Sequence, residues 1–599
     1  MSSMGDAALA WGDGAVMQSR PMRRTMILVA ALTAACTESA PTPPRDAGND
    51  LALDVAVDAP KDVAAPDVAP DAATQDVPAG DARPMPAVPF SEGPYGMNVR
   101  DRAAPFVMPT QDGDWSFRDQ WTGEDSYVFL VYAARNPPAA NDYTAGLFNG
   151  SLAELLERSP RNVHYFFLSG SNTAGFMEAQ ASWQGELDAL PEEDARWWRP
   201  RVHFVATPVS MLDNWVGQML LYRSRTALPY KRYDAVQFAI DRDQRIREVG
   251  MLGRLASTGT APDITLLANE PAYYNWEHDR DARLARERAT VVTLARAGTV
   301  HDTLDVDVDL PDAATMATFD TMEVDLAMEC PHHRDGECGA WDYLSYLWVC
   351  DPAAPDADAG ASDGGDAGGP RWRCDNEIAR WITSYWRETH WVTDISGMLP
   401  FLRAGGRQHL RWNASGQWDP RSTDYIVTLS LRLSNRGRGM RPVEAVPLWR
   451  GGAWNAMYDM AHPPVSVDVP SDVRRVELYA LITGHGGVRP TNCAEFCNHE
   501  HRFTVGGMEY LRSFPGAQSP DGCAMRVNEG VVPNQFGTWY FGRGGWCPGF
   551  DVAPWVVDVT ANVRPGMRNE LSYRTTFGGR AVTAGMGDIA LSSYLVYWR

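Results

Sequence analysis

TLDVDVDLP (303–311) sets Leu304, Val306, Val308 and Leu310 at every second position, with aspartates between them. Successive side chains of an extended chain point to opposite faces, so this run reads as a β-strand with one apolar face and one acidic, solvated face. Working outward, MEVDLAME (322–329) alternates Met322, Val324, Leu326 and Met328. YIVTLSLRL (425–433), VRRVELYALITG (473–484), HRFTV (501–505) and WVVDV (555–559) continue the period. Many antiparallel strands with Gly- and Pro-bearing turns predict sandwich or jelly-roll architecture. The stretch from 285 to 599 exceeds one small sandwich, so two jelly rolls are expected, 285–440 and 441–599, divided at SNRGRGMRP (434–442).

Residues 89–284 read differently. YVFLVYA (127–133), VHYFFL (163–168), VHFVA (202–206) and AVQFAI (235–240) are continuous apolar runs, which predict buried parallel strands. Leu152, Leu155 and Leu156 lie at helical spacing, so an α/β layer is expected. APFVMPTQDGDWSFRDQWTGEDSYVFLVY (104–132) and FAIDRDQRIREVG (238–250) resemble the thioredoxin-like, peroxiredoxin-type fold. Redox members carry a cysteine after the first core strand. Here that place holds Ala133-Ala134-Arg135-Asn136-Pro137, and no cysteine occurs between 37 and 329. Without a thiol, thiol–disulfide chemistry is excluded and a scaffolding or binding role is left.

The 599 residues carry a net charge of −22, which argues against nucleic acid as a partner because phosphate binding needs a basic face. Residues 37–88 repeat Asp, Ala, Pro and Val and predict an acidic, disordered linker; 351–370 has the same composition and predicts a surface insert. Arg23 and Arg24 precede the short apolar run Met26–Ala35 and then Cys36. Residues 1–36 therefore resemble a lipoprotein leader, with Cys36 lipidated and the protein held at the cell envelope or surface, or else a plain secretory signal. Eight cysteines remain, an even number that suits an exported, disulfide-bonded protein. Spacing suggests Cys330–Cys338, Cys350–Cys374, Cys493–Cys497 and Cys523–Cys547, among many permitted pairings. The absence of any Cys-x-x-Cys pair argues against zinc.

Four segments carry the chemistry: ECPHHRDGECGAWDYLSYLWV (329–349), RWITSYW (380–386), NCAEFCNHEHRFTV (492–505) and GRGGWCPGF (542–550). In order and in their cysteines they resemble the peptide-N-glycosidase F family, bacterial amidases that release N-linked glycans from glycoproteins. The resemblance implies hydrolysis of the Asn–GlcNAc amide, with N-glycosylated proteins or peptides as substrates and no metal or organic cofactor. It implies Asp342 and Glu495 as catalytic carboxylates and Arg543, Trp341, Trp418, Trp546 and His485 as substrate-facing residues. Amide hydrolysis needs an activated water, a stabilised oxyanion and a protonated leaving nitrogen, which two carboxylates in different environments can serve. A short disulfide-closed ring from Cys493 to Cys497 would fix the direction of Glu495.

The chain also departs from the family pattern. Gly416 stands where the family has a further glutamate, Tyr343 replaces an arginine, Phe496 replaces a tryptophan, and Gly484-His485-Gly486-Gly487 replaces Gly-Trp-Gly-His. A non-catalytic glycan-binding surface lipoprotein on the same fold is therefore the alternative reading. A copper-dependent monooxygenase, drawing on His332, His333, His485, His499 and His501, is a remote one, because two separated copper sites with their own histidine spacing are not evident. Since all matched motifs and all eight cysteines lie beyond residue 285, the N-terminal unit is expected to be dispensable for chemistry.

Overall fold

The computed structural model describes residues 87–139, 142–226, 233, 235–256, 259–353, 372–414, 424–486 and 493–599. Cys36, the acidic linker up to residue 86, most of the acidic insert, Gly416 and Trp418 lie outside these residues.

The period-two runs form two stacked pairs of antiparallel sheets. In the first pair, Thr290–Val300, Tyr425–Ser434, Thr321–Glu329 and Thr389–Asp394 are hydrogen-bonded in that order. They pack on a sheet ordered Thr303–Asp312, Gly405–Asn413, Leu344–Pro352, Trp372–Ile382 and Phe550–Asp551. Met322, Val324, Leu326 and Met328 enter one core with Leu347, Val349, Leu410 and Trp412. Val308 and Leu310 are buried, whereas Leu304 and Val306 are only half-buried, since Thr303–Asp312 lies at the sheet edge with a neighbour on one side.

The second pair stacks Pro442–Ala453, Asp588–Trp598, Arg475–His485 and Trp555–Asp558 on Val465–Asp468, Arg568–Phe577, His499–Val505 and Met508–Ser513. Alternation along Arg475–His485 serves two cores. Val476, Leu478, Ala480 and Ile482 fill the second sandwich, while Tyr479 and Leu481 on the opposite face join the first. At this seam Arg380, paired with Glu377, donates to Thr483 Oγ1 (2.8 Å) and Ala590 O (2.7 Å), so each nitrogen of the buried charge is bonded.

The N-terminal unit has a five-stranded sheet ordered Val202–Val205, Val163–Ser169, Ser126–Tyr132, Gln237–Ile240 and Ile246–Arg247. The first three strands are parallel, as read from their apolar runs. The fourth corrects that reading: Gln237–Ile240 runs antiparallel to Ser126–Tyr132 and turns directly into Ile246–Arg247. A strand buried on both faces is apolar throughout whichever way it runs, so composition could not encode its direction.

This unit does not stand apart from the C-terminal region. Its Leu266, Tyr273 and Tyr274 share one core with Val531, Val532, Trp539 and Tyr540 of the C-terminal region. Arg387 donates to Glu270 Oε1 (2.9 Å) and pairs with Asp335 (2.9 Å), Leu255 N–H donates to Tyr540 (3.1 Å), and Arg254 pairs with Asp521. Motif positions mark what carries chemistry and say nothing of what buries the back of the motif, so the sequence reading missed this seam.

Cys330–Cys338, Cys350–Cys374, Cys493–Cys497 and Cys523–Cys547 are bonded, the four pairs that spacing suggested. Such bonds belong to an oxidising compartment and so to an exported protein. Thiol titration of the denatured, unreduced mature protein, with Cys36 lipidated or removed, is expected to find no free thiol. Several titratable thiols would contradict this pairing.

Candidate active site

The four motifs meet between the two sandwiches. Asp342 precedes the strand Leu344–Pro352, and Tyr385 follows the neighbouring strand Trp372–Ile382. Thr383 ties these two ends together: its hydroxyl donates to Trp341 O (2.7 Å) and accepts from Tyr343 N–H (2.8 Å), fixing the backbone on both sides of Asp342. Glu495 lies in the single turn Cys493–Phe496, closed by Cys493–Cys497. Arg543 comes from the glycine-rich loop that passes beside that turn. A Cβ on Gly544 would lie 2.3 Å from His499 Nε2, and one on Gly484 would lie 1.8 Å from Ala494 O, so only glycine lets loop, turn and strand approach this closely.

Arg543 is the hub. Its side chain is 0% exposed, while those of Asp342 and Glu495 are 17% and 15% exposed, so the carboxylates face the cleft and the guanidinium stands behind them. Arg543 Nε–H donates to Glu495 Oε1 (3.3 Å), and Nη2 lies 3.7 Å from Asp342 Oδ2. The remaining N–H groups donate to Thr538 O (3.0 Å), Phe541 O (3.1 Å), Thr538 Oγ1 (3.0 Å) and the Tyr385 oxygen (3.4 Å). A buried cation is tolerable only when it is paired and its donors are satisfied, and both conditions hold. Tyr385 O–H donates to Asp342 Oδ2 (2.7 Å), and Gly486 N–H donates to Glu495 Oε2 (3.0 Å). One guanidinium thus serves two carboxylates, each with its own further donor.

Tyr385, Thr383 and Thr538 were missed as site residues from sequence. The first two lie in RWITSYW, where their signal was a hydroxyl set beyond the end of a strand. Thr538 carries no sequence signal.

Trp546 is corrected as a substrate-facing residue. It is 4% exposed, donates Nε1–H to Gly484 O (2.6 Å) and lies against the Arg543 guanidinium at 4.8 Å, so it walls in the arginine. Phe496 lies against the same guanidinium at 5.2 Å, so an aromatic ring is kept where the family tryptophan stands. Arg543 itself has no exposed surface to offer a sugar and instead holds the two carboxylates. His485 stacks on Trp546 (5.2 Å between centroids) and bonds Thr483 Oγ1 (2.8 Å). Trp341, half-buried, meets the edge of Tyr385 at 6.2 Å. Tyr343 is buried beside the site, so no arginine is presented there.

The histidines do not gather. His499 Nδ1 bonds His501 Nε2 (2.7 Å), and His501 Nδ1 bonds Tyr573 (2.7 Å), inside the second sandwich. His332 and His333 pair instead with Glu337 and Glu388. Among the described residues, no group of three or more His, Cys, Asp or Glu side chains is arranged to hold a metal.

Burial pushes His485 and His203 down to about 3 and His499 to about 4, and holds His164 and His501 well below the usual histidine range. These rings are neutral in the fold and bind protons once unfolded. Their stabilisation is full above about pH 6.5, the ordinary histidine value, and is lost as pH falls toward the folded values. His333, raised by its bond to Glu388, acts the other way, one against five. Thermal melts are therefore expected to show Tm falling steadily from pH 6.5 to 4; a flat or rising Tm would contradict the neutral core histidines.

The family model described as peptide-N-glycosidase F, C terminal, matches residues 453–596, the span holding Glu495 and Arg543. Peptide-N(4)-(N-acetyl-beta-D-glucosaminyl)asparagine amidase F of Elizabethkingia miricola is 23% identical over 300 residues, covering 47% of this chain and 75% of that protein. Among solved structures, PNGase F from Flavobacterium meningosepticum is 16% identical, covers 52% of this chain and 96% of its own, and has a TM-score of 0.37. PNGF-II is 14% identical over 53% of this chain and 67% of its own, with a TM-score of 0.38. Over residues 453–596 the chain thus matches the C-terminal model of the peptide-N-glycosidase F family, and it is similar in sequence to an amidase of that family.

Proposed function

We propose that this protein is an exported amidase that hydrolyses the amide between an asparagine side chain and the first GlcNAc of an N-linked glycan, leaving aspartate and a glycosylamine that loses ammonia to water to give the free glycan. The observation that carries the reading is the buried Arg543 shared by two cleft-facing carboxylates. Asp342 acts on the attacking water, which adds to the amide carbonyl carbon. The C–N bond then breaks, and the departing nitrogen takes a proton. Glu495, on the other side of the guanidinium, serves that proton transfer and binds the first sugar. Trp341 and His485 line the approach, and the resemblance adds Trp418 as a further substrate-facing residue.

The reading extends to the architecture: a cysteine-free thioredoxin-like unit over 89–284 and two jelly rolls over 285–440 and 441–599. The tether 37–88 carries them on a lipid anchor at Cys36. Incubation with a denatured glycopeptide followed by mass spectrometry tests the chemistry. Conversion of Asn to Asp with free glycan is the expected result. Retention of the glycopeptide without release would overturn it in favour of a glycan-binding protein.

A further inference from the structure

The seam between the N-terminal unit and the site is built around one fully buried carboxylate. Glu270, in the first turn of Asn269–Arg286, is 0% exposed. Its Oε1 accepts from Gly250 N–H (3.1 Å), Arg387 Nη1–H (2.9 Å) and Asn534 Nδ2–H (2.8 Å), and its Oε2 accepts from the Tyr274 hydroxyl (3.1 Å). Asn534 also donates to Leu266 O (3.1 Å) and accepts from Met251 N–H (2.7 Å) through its own carbonyl. Arg387 donates further to Pro533 O (2.5 Å). A Cβ at Gly250 would lie 2.1 Å from Asn534 O, so the two backbones are in direct contact. A buried network of this kind, with its members satisfied, fixes one geometry and resists displacement.

The loop it grips leads straight to the chemistry. Gln535, next in sequence and fully buried, accepts Tyr385 N–H (2.9 Å) and donates to Val532 O (2.7 Å) and Pro548 O (2.8 Å). Tyr385 then holds Asp342, and Thr538, three residues further along the loop, holds Arg543. One hydrogen-bonded support of Asp342 and one of Arg543 therefore hang on a segment whose back is bonded to the N-terminal unit. We infer that Glu270 and Asn534 are positioning residues of the active site, so that the N-terminal unit sets the geometry of Asp342 and Arg543. This inference rests on the amidase reading above.

The test uses the full chain and a small glycopeptide, with kcat and KM measured well below each variant's Tm. Asn534 has φ +49°, which asparagine and glycine tolerate, so Asn534→Gly removes the side-chain bonds without straining the backbone. Loosening the site by a fraction of an ångström is expected to lower kcat roughly 10- to 100-fold, with KM within about twofold. Arg100→Ala cuts a different seam contact, the Arg100–Glu388 pair (3.0 Å), and is expected to lower Tm while keeping wild-type kcat. Should Asn534→Gly not fold, the isosteric Glu270→Gln decides: reduced kcat at unchanged KM supports the inference. Wild-type kcat in a folded Asn534→Gly or Glu270→Gln protein overturns it. Cleavage by the wild-type chain in the same assay separates failure of this inference from failure of the amidase reading.

Discussion

Asp342→Asn is expected to lower kcat on a glycopeptide by roughly 10²- to 10⁴-fold, the usual range when a group that moves a proton is removed. The substitution is nearly isosteric. Tyr385 O–H still has an oxygen to donate to at this position, and Thr383 still clamps the backbone on either side. Arg543 keeps Glu495, both Thr538 oxygens and Phe541 O, so the buried cation is not abandoned. Melting is therefore expected to stay close to wild type while turnover collapses, and glycan binding to persist. The measurement is single-turnover release of glycan, followed by mass spectrometry, beside a thermal melt of the same sample. Wild-type turnover in a folded Asp342→Asn protein would remove Asp342 from the chemistry and leave Glu495 as the carboxylate to examine.

A chain beginning at residue 285 is expected to lose its cooperative melt and most of its activity. That cut removes Glu270, Tyr274, Leu266 and the Met251 amide together, and leaves Val531, Val532 and Trp539 without the apolar surface that covers them. Arg387 keeps Asp335 but loses Glu270. Breaking a buried ion pair by deleting one partner costs roughly 3–5 kcal/mol. A domain has only about 5–15 kcal/mol of net stability, and the exposed apolar surface adds to the loss. Differential scanning calorimetry and a glycopeptide assay on the shortened chain are the checks. A sharp transition with full activity would show that the C-terminal half is self-sufficient and that the seam is only a contact surface.

Much of this protein is legible without coordinates, for a physical reason. A strand half-buried in an antiparallel sandwich must alternate, and MEVDLAME does so along its length, so architecture and core positions follow from the period alone. Even cysteine numbers and their spacing suggested the disulfides. Asp342, Glu495 and Arg543, which the structure brings together, stood out in the sequence because each sits inside a motif whose other residues have local jobs. Cys493 and Cys497 close the turn of Glu495, and Gly544 admits the loop of Arg543.

Tertiary structure decided what alternation and motif order cannot express. Periodicity reports that a face is buried but not what buries it. For that reason Arg475–His485 shows one pattern while feeding two cores, and the antiparallel fourth strand of the N-terminal sheet was read as parallel. Trp546 and Arg543 looked like ligand contacts because aromatic and guanidinium groups serve equally well in a cleft or behind one; only packing places both behind the carboxylates. The joining of Glu270 to Asn534 spans 264 positions along the chain and rests on a buried carboxylate that no local pattern distinguishes from a solvated helix-start glutamate, so that contact exists only once the chain has folded.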